Sequence, residues 1–122
     1  MKRILDVGNC VPDHATLTAY LTKHFECEVL AADGPEETFA TLESGPVDLV
    51  LINRKLDRDY TDGAEILKAL KANPATADVP VMLLTNYPDH QAAAVEAGAL
   101  LGFGKLEYAK PETLHKLQAV LG

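Results

Sequence analysis

The feature that most constrains this chain is a fivefold alternation that runs from end to end. A short run rich in Val, Leu and Ile is followed each time by a longer stretch whose apolar residues recur at helical spacing. The runs Ile4 to Val7, Cys27 to Ala32, Val47 to Ile52, Val81 to Thr85 and Leu100 to Phe103 read as strands. Val47 to Ile52 is almost continuously apolar, as expected of a central parallel strand covered by helices on both faces. Between the runs, Leu17 with Tyr20 and Leu21, Phe39 with Leu42, Ile66 and Leu67 with Leu70, and Leu114 with Leu117 and Leu121 each share one helical face. Pro12, Pro35, Pro88 and Pro111 stand at or just before helix starts, where a fixed φ suits the first turn and no needed donor is lost. Glu36, Glu37, Asp89 and Glu112 add negative charge where the helix dipole is positive. Five such units with right-handed crossovers make an open doubly wound sheet and are too few for an eight-stranded barrel. The expectation is an α/β protein, a three-layer α/β/α sandwich on a five-stranded parallel sheet, formed as one domain over residues 1–122.

Charge and composition narrow the function. Eleven Lys plus Arg stand against eighteen Asp plus Glu, a formal charge of −7 with no basic run, which argues against direct binding to nucleic acid. The longest apolar runs fall far short of the roughly 20 residues that cross a bilayer. Asp6 and Asn9 interrupt the apolar start, so no secretory signal is read and a cytoplasmic location is expected. Cys10 and Cys27 are then expected as free thiols. His14, His24, His90 and His115 are scattered without ligand spacing, so no metal and no cofactor is expected. Asp57, Asp59 and Asp62 resemble a calcium loop, but the third acid is one position late and the distal Glu is missing. A solvated loop, with Asp62 or Thr61 capping the next helix, is the expectation.

In a doubly wound sheet the chemistry sits at the carboxyl ends of the strands, which singles out Gly8, Asn9, Asn53, Thr85 and Lys105. Here the chain resembles the receiver domain of response regulators, over residues 2 to 121. Val47-Asp48-Leu49-Val50-Leu51-Ile52-Asn53 is similar to the family's third strand, and Val79-Pro80-Val81-Met82-Leu83-Leu84-Thr85 to its fourth. Gly98-Ala99 followed by Lys105 is similar to its fifth, and Asp62-Gly63 to the start of its third helix. The resemblance implies a flavodoxin-like fold with strand order 2-1-3-4-5, and a role in two-component or phosphorelay signalling.

The family's chemistry is Mg²⁺-assisted phosphoryl transfer onto an Asp at the end of the third strand, where this chain has Asn53. A carboxamide lacks the anionic oxygen that attacks phosphorus. Gly8 and Asn9 stand where the family has the acidic pair that holds Mg²⁺, an ion that wants one or two carboxylates. Thr85 and Lys105 match the retained hydroxyl and lysine. Gly102 replaces the switch aromatic, Leu106 follows Lys105 in place of Pro, and the loop after Asn53 is about two residues longer by that alignment. Phe103 should face the opposite side of its strand from Gly102. Asp6, mid-strand on a face that is normally apolar, needs a buried partner. Lys105 is one expectation for that partner, and hydroxyls, amides or water are the other. For Lys105, Asp6 and the Asn53 amide are the expected partners.

The resemblance implies a degenerate receiver that is no enzyme and works by protein contact, with a histidine kinase or an output domain as the kind of partner. A homodimer through helix four, strand five and helix five is also implied, using Ala92 to Val95, Leu100, Leu101 and Phe103 with Glu107, Tyr108 and Lys110 nearby. The apolar residues among them read first as core and helix packing. The alternative is a small-molecule or redox-sensing, or weakly catalytic, flavodoxin-like domain that uses the strand-end pocket, with Cys10 at a helix start as a redox or nucleophilic thiol. The chain also fits the receiver-like part of a longer protein.

Overall fold

The computed structural model describes residues 1–122. Strands and helices alternate as β1 (Lys2–Val7), α1 (Val11–His24), β2 (Cys27–Ala32), α2 (Pro35–Ser44), β3 (Leu49–Asn53), α3 (Ala64–Ala72), β4 (Val81–Leu84), α4 (Pro88–Glu96), β5 (Leu100–Phe103) and α5 (Pro111–Leu121). A short 3-10 turn, Lys105–Glu107, precedes α5. All neighbouring strands pair in parallel, in the order β2-β1-β3-β4-β5, so the expected doubly wound sandwich and strand order are what form.

The prolines act where the sequence places them, at the first or second residue of α1, α2, α4 and α5. Helix α3 has none, and there Asp62 Oδ1 accepts the backbone N–H of Ala64 at 2.9 Å. Strand β3 starts at Leu49, not Val47, and runs through Asn53. Asp48, at its threshold, spends a carboxylate oxygen on the N–H of Arg3 at 2.8 Å and so anchors β3 to β1 just outside the ladder. Thr85 lies one residue beyond β4, although its N–H still reaches Phe103 O at 3.1 Å.

Alternation along the strands divides the core in two. Leu5, Val7, Val50, Ile52, Val81 and Leu83 pack with Ile66, Leu67 and Leu70 of α3 and with Ala94 of α4. On the other face Ile4, Leu49, Leu51, Met82 and Phe103 pack with Leu17 and Leu21 of α1 and with Leu117 and Leu121 of α5. Asp6 follows Ile4 by two residues, so it points into the α1/α5 layer and is 1% exposed.

Candidate functional site

The carboxyl ends of β3 and β4 open onto a cavity of about 380 Å³ that gathers Asn53, Thr85 and Lys105, as expected, and adds Arg54, Lys55, Asn86 and Tyr87. Gly8 and Asn9 do not line it. Asn53 ends β3 with its amide turned to its own loop, donating Nδ2–H to Lys55 O at 2.7 Å. The Thr85 hydroxyl oxygen accepts the N–H of Tyr87 at 3.3 Å.

Gly8 and Asn9 have other work. Gly8 adopts φ +82, a left-handed conformation that an L side chain resists, and a Cβ built on it would run into Leu56 Cδ2. The loop after Asn53 holds Leu56 there. Leu56 N–H bonds Thr61 O at 2.9 Å, Tyr60 turns at φ 60 and returns its N–H to Leu56 O at 2.8 Å, and Asp57 N–H bonds Gly8 O at 2.9 Å. Leu56 is 1% exposed and joins the core on the α3 side. An apolar side chain therefore packs directly over Gly8, one of the two acid positions implied by the resemblance. Its signal in the sequence is a lone apolar residue inside Arg54-Lys55-Leu56-Asp57-Arg58.

Asp6 finds its partners on the first turns after β1. Asn9 Nδ2 donates to Asp6 Oδ1 at 2.6 Å, and His14 Nδ1 donates to Asp6 Oδ2 at 2.7 Å. This corrects the expectation that Lys105 reaches down to Asp6 or across to Asn53. Lys105 Nζ instead donates to Asp13 Oδ2 at 2.7 Å. Asp13 is a partly exposed rim carboxylate, so the ammonium keeps solvent on one side, whereas joining Asp6 would strip it of water. Burial pushes the Asp6 carboxyl above the ordinary range, against the pull of its His14 and Asn9 bonds. The Lys105 bond holds Asp13 below that range. Tyr108 beside them is pushed up to about 12, by burial first and then by the charges of Asp6 and Asp13.

These residues do not fit Mg²⁺. No carboxylate lines the strand-end cavity, both oxygens of Asp6 are engaged, Asp13 is paired with Lys105, and Leu56 stands over Gly8. In the following loop, Asp59 Oδ1 accepts the N–H and hydroxyl of Thr61 at 3.1 and 2.6 Å while Asp62 caps α3, so the two carboxylates serve different local turns.

No pattern in the sequence singles out Gln91 of α4. Its buried amide leaves α4 to donate to Leu83 O at 2.9 Å and Thr85 O at 3.2 Å, and its Oε1 accepts the N–H of Gly102 at 2.9 Å. The β4/β5 register shifts between Met82 and Leu84, so this side chain supplies bonds that the ladder lacks there. A Cβ on Gly102 would meet Leu83 O, Met82 Cβ and Gln91 Oε1. The space beside Gly102 is thus taken by backbone and a hydrogen-bonded amide. Phe103 points to the opposite face and is fully buried, and Ala94 is buried too. Val95, Leu100, Leu101 and Leu106 remain exposed, with Leu101 and Leu106 on a groove of about 480 Å³ beside Lys110 and Lys116. Glu107 caps its own turn through Gly104 N–H at 2.8 Å, and Tyr108 packs on Tyr20 and Phe103. Cys10 and Cys27 are free thiols, and burial pushes Cys27 up.

A parallel 2-1-3-4-5 sheet with its polar residues gathered beyond β3, β4 and β5 defines a flavodoxin-like protein of the receiver type. Residues 10–119 match the model of the response regulator receiver domain, and the chain belongs to that family. No curated protein matches it. Among solved structures it is similar to the chemotaxis protein CheY4 of Vibrio cholerae, with 23% identity, TM-score 0.76 and 99% of each chain covered. It is also similar to the receiver domain of a DNA-binding response regulator from Colwellia psychrerythraea 34H, with 24% identity, TM-score 0.75, and 98% of this chain and 99% of that one covered. The beryllofluoride-activated NtrC4 receiver domain dimer matches at 19% identity and TM-score 0.79, over 99% of this chain and 97% of that one. No helix is long and apolar enough to cross a membrane.

Proposed function

We propose that this chain is a degenerate receiver, a single cytoplasmic signalling domain over residues 1–122 that works by protein contact and is not switched by phosphorylation of an aspartate. The observation that carries this reading is at the end of β3. Asn53 stands at the acceptor position with its amide bonded to Lys55 O, and Leu56 packs over Gly8 where a metal-binding acid would have to sit. A neutral carboxamide is no nucleophile toward phosphorus, and an apolar plug holds no cation. The reading assigns no catalysis, cofactor, nucleic acid or membrane to the domain. Its partner is a protein such as a histidine kinase or an output domain, or a second copy. The exposed Leu101 and Leu106 on the α4–β5–α5 side offer apolar contact area for it. Gln91, locked by three hydrogen bonds beside Gly102, supports a face held in one arrangement.

The test is the intact mass of the wild-type chain, denatured after incubation with acetyl phosphate and Mg²⁺. The expected result is an unchanged mass. A Mg²⁺-dependent gain of one phosphoryl group overturns the reading.

A second reading, a small-molecule site at the strand ends, is favoured by one specific observation, the cationic lining of the cavity that contains Asn53.

A further inference from the structure

Helices α3 and α4 do not close fully on each other. His90, Ala93 and Ala94 of α4 and Ala97 at its end recur at helical spacing, so one imidazole and three methyl groups make up a helix face. Side chains this small leave a cavity of about 170 Å³ between that face and Lys68 of α3, with Leu83 of β4 beneath. Leu83 and Ala94 are buried and Ala97 packs against the same core, so the floor is apolar. The polar groups above it are short of partners. His90 Nδ1 is buried with no hydrogen-bond partner in the protein, while Tyr87 stands edge-on to the ring with centroids 5.5 Å apart. A buried nitrogen left in this way has lost its hydration without recompense. The Arg54 guanidinium donates no hydrogen bond within the protein, and it meets Asp62 Oδ2 only at 3.9 Å, beyond hydrogen-bond reach. Asp62 is the one acid in the lining, and its Oδ1 is taken by the N–H of Ala64 at 2.9 Å.

We propose that this cavity binds a small aliphatic monocarboxylic acid, with its carboxylate on Arg54 and His90 and its hydrocarbon body on Leu83, Ala94 and Ala97. A carboxylate is planar and matches the guanidinium fork through charge-assisted hydrogen bonds. It also selects the imidazole tautomer that carries Nδ1–H, which gives the buried nitrogen its missing partner. Lys68, half committed to Glu65 at 3.7 Å, adds positive charge to the lining. Size sets the rest of the class. An apolar cavity of about 150 Å³ accommodates a benzene ring, so a body of about four to six carbon atoms fits here and a nucleotide or flavin does not. Asn53 takes no part in the site, so it stands or falls apart from the account of phosphorylation.

The experiment is a two-dimensional amide NMR titration of the full chain with sodium isovalerate, against sodium chloride at matched ionic strength. A parallel arm uses isovaleramide, the neutral isostere of the acid. Saturable shifts are expected at the amides of Lys68, His90, Ala94 and Ala97, with the acid bound about tenfold more tightly than the amide. Arg54 also borders the strand-end cavity, so the amide of Lys105 on that cavity serves as the control and should stay in place. Arg54 is partly exposed, and Arg54→Gln should weaken binding about tenfold through loss of one charged donor. Ala97→Leu puts a larger side chain into the cavity and should abolish saturation, with a dispersed amide spectrum showing that each variant is folded. The proposal is overturned by shifts no larger than those from chloride, by shifts centred on Lys105, by equal affinity for acid and amide, or by binding unchanged in either variant.

Discussion

Gly8 and Leu56 are a matched pair of residues, one without a side chain and one that fills the space so left. The left-handed φ of Gly8 and the contact with Leu56 together predict that Gly8→Ala costs about 2–4 kcal/mol, the backbone penalty adding to overpacking. Urea denaturation measures this, and an unchanged midpoint with unchanged slope contradicts the fit. Gly8→Asp meets the same obstruction, so returning an acid to this position does not recreate a metal site. Asp6 carries a second prediction at this scale. Its folded-state carboxyl holds a proton to higher pH than in the unfolded chain, because burial outweighs its two hydrogen bonds. That contribution to stability is present below the ordinary carboxyl range and is lost as pH rises through the raised value. Asp6→Asn removes the titration, so the stability of the wild type relative to the variant should fall between acid and neutral pH. A difference that grows toward neutral pH, in thermal melts across that range, contradicts the assignment.

At the scale of elements, the prolines, the apolar runs and the helical faces made the α/β layers legible, because each is a local preference that agrees with its neighbours. The strand-end residues were legible through their positions, and Asn53, Thr85 and Lys105 do meet in one cavity. Two features were legible only in part, because hydrophobic periodicity does not report polar partners. The partners of Asp6 lie three and eight residues along the chain, on the first turns that follow β1, and no periodicity distinguishes them from Lys105, brought close by the sheet. Gln91 looks like any polar residue of an Ala-rich helix until the shifted register of β4 and β5 leaves backbone groups for it to satisfy. Gln91→Leu should leave Leu83 O and Gly102 N–H unsatisfied and cost about 1–3 kcal/mol for each buried group. Native-state hydrogen exchange at Gly102 should accelerate with it. Retained protection at that amide contradicts the role given to Gln91.

For the whole molecule, three changes act on the receiver scaffold together. On the proposed reading a carboxamide stands at the acceptor position, Leu56 takes space over Gly8, and the strand-end cavity is lined by cations. They are coupled through one loop, since Asn53 bonds Lys55 O, Leu56 follows, and Asp57 N–H bonds Gly8 O. A single substitution therefore does not reverse them. The most direct measurement is the phosphoryl uptake of Asn53→Asp from acetyl phosphate, followed by intact mass with and without Mg²⁺. With the nucleophile restored, but no acidic pair and an apolar side chain over Gly8, the predicted result is no modification, or a slow one that Mg²⁺ does not accelerate. Rapid, stoichiometric and Mg²⁺-dependent phosphorylation of Asn53→Asp would contradict it.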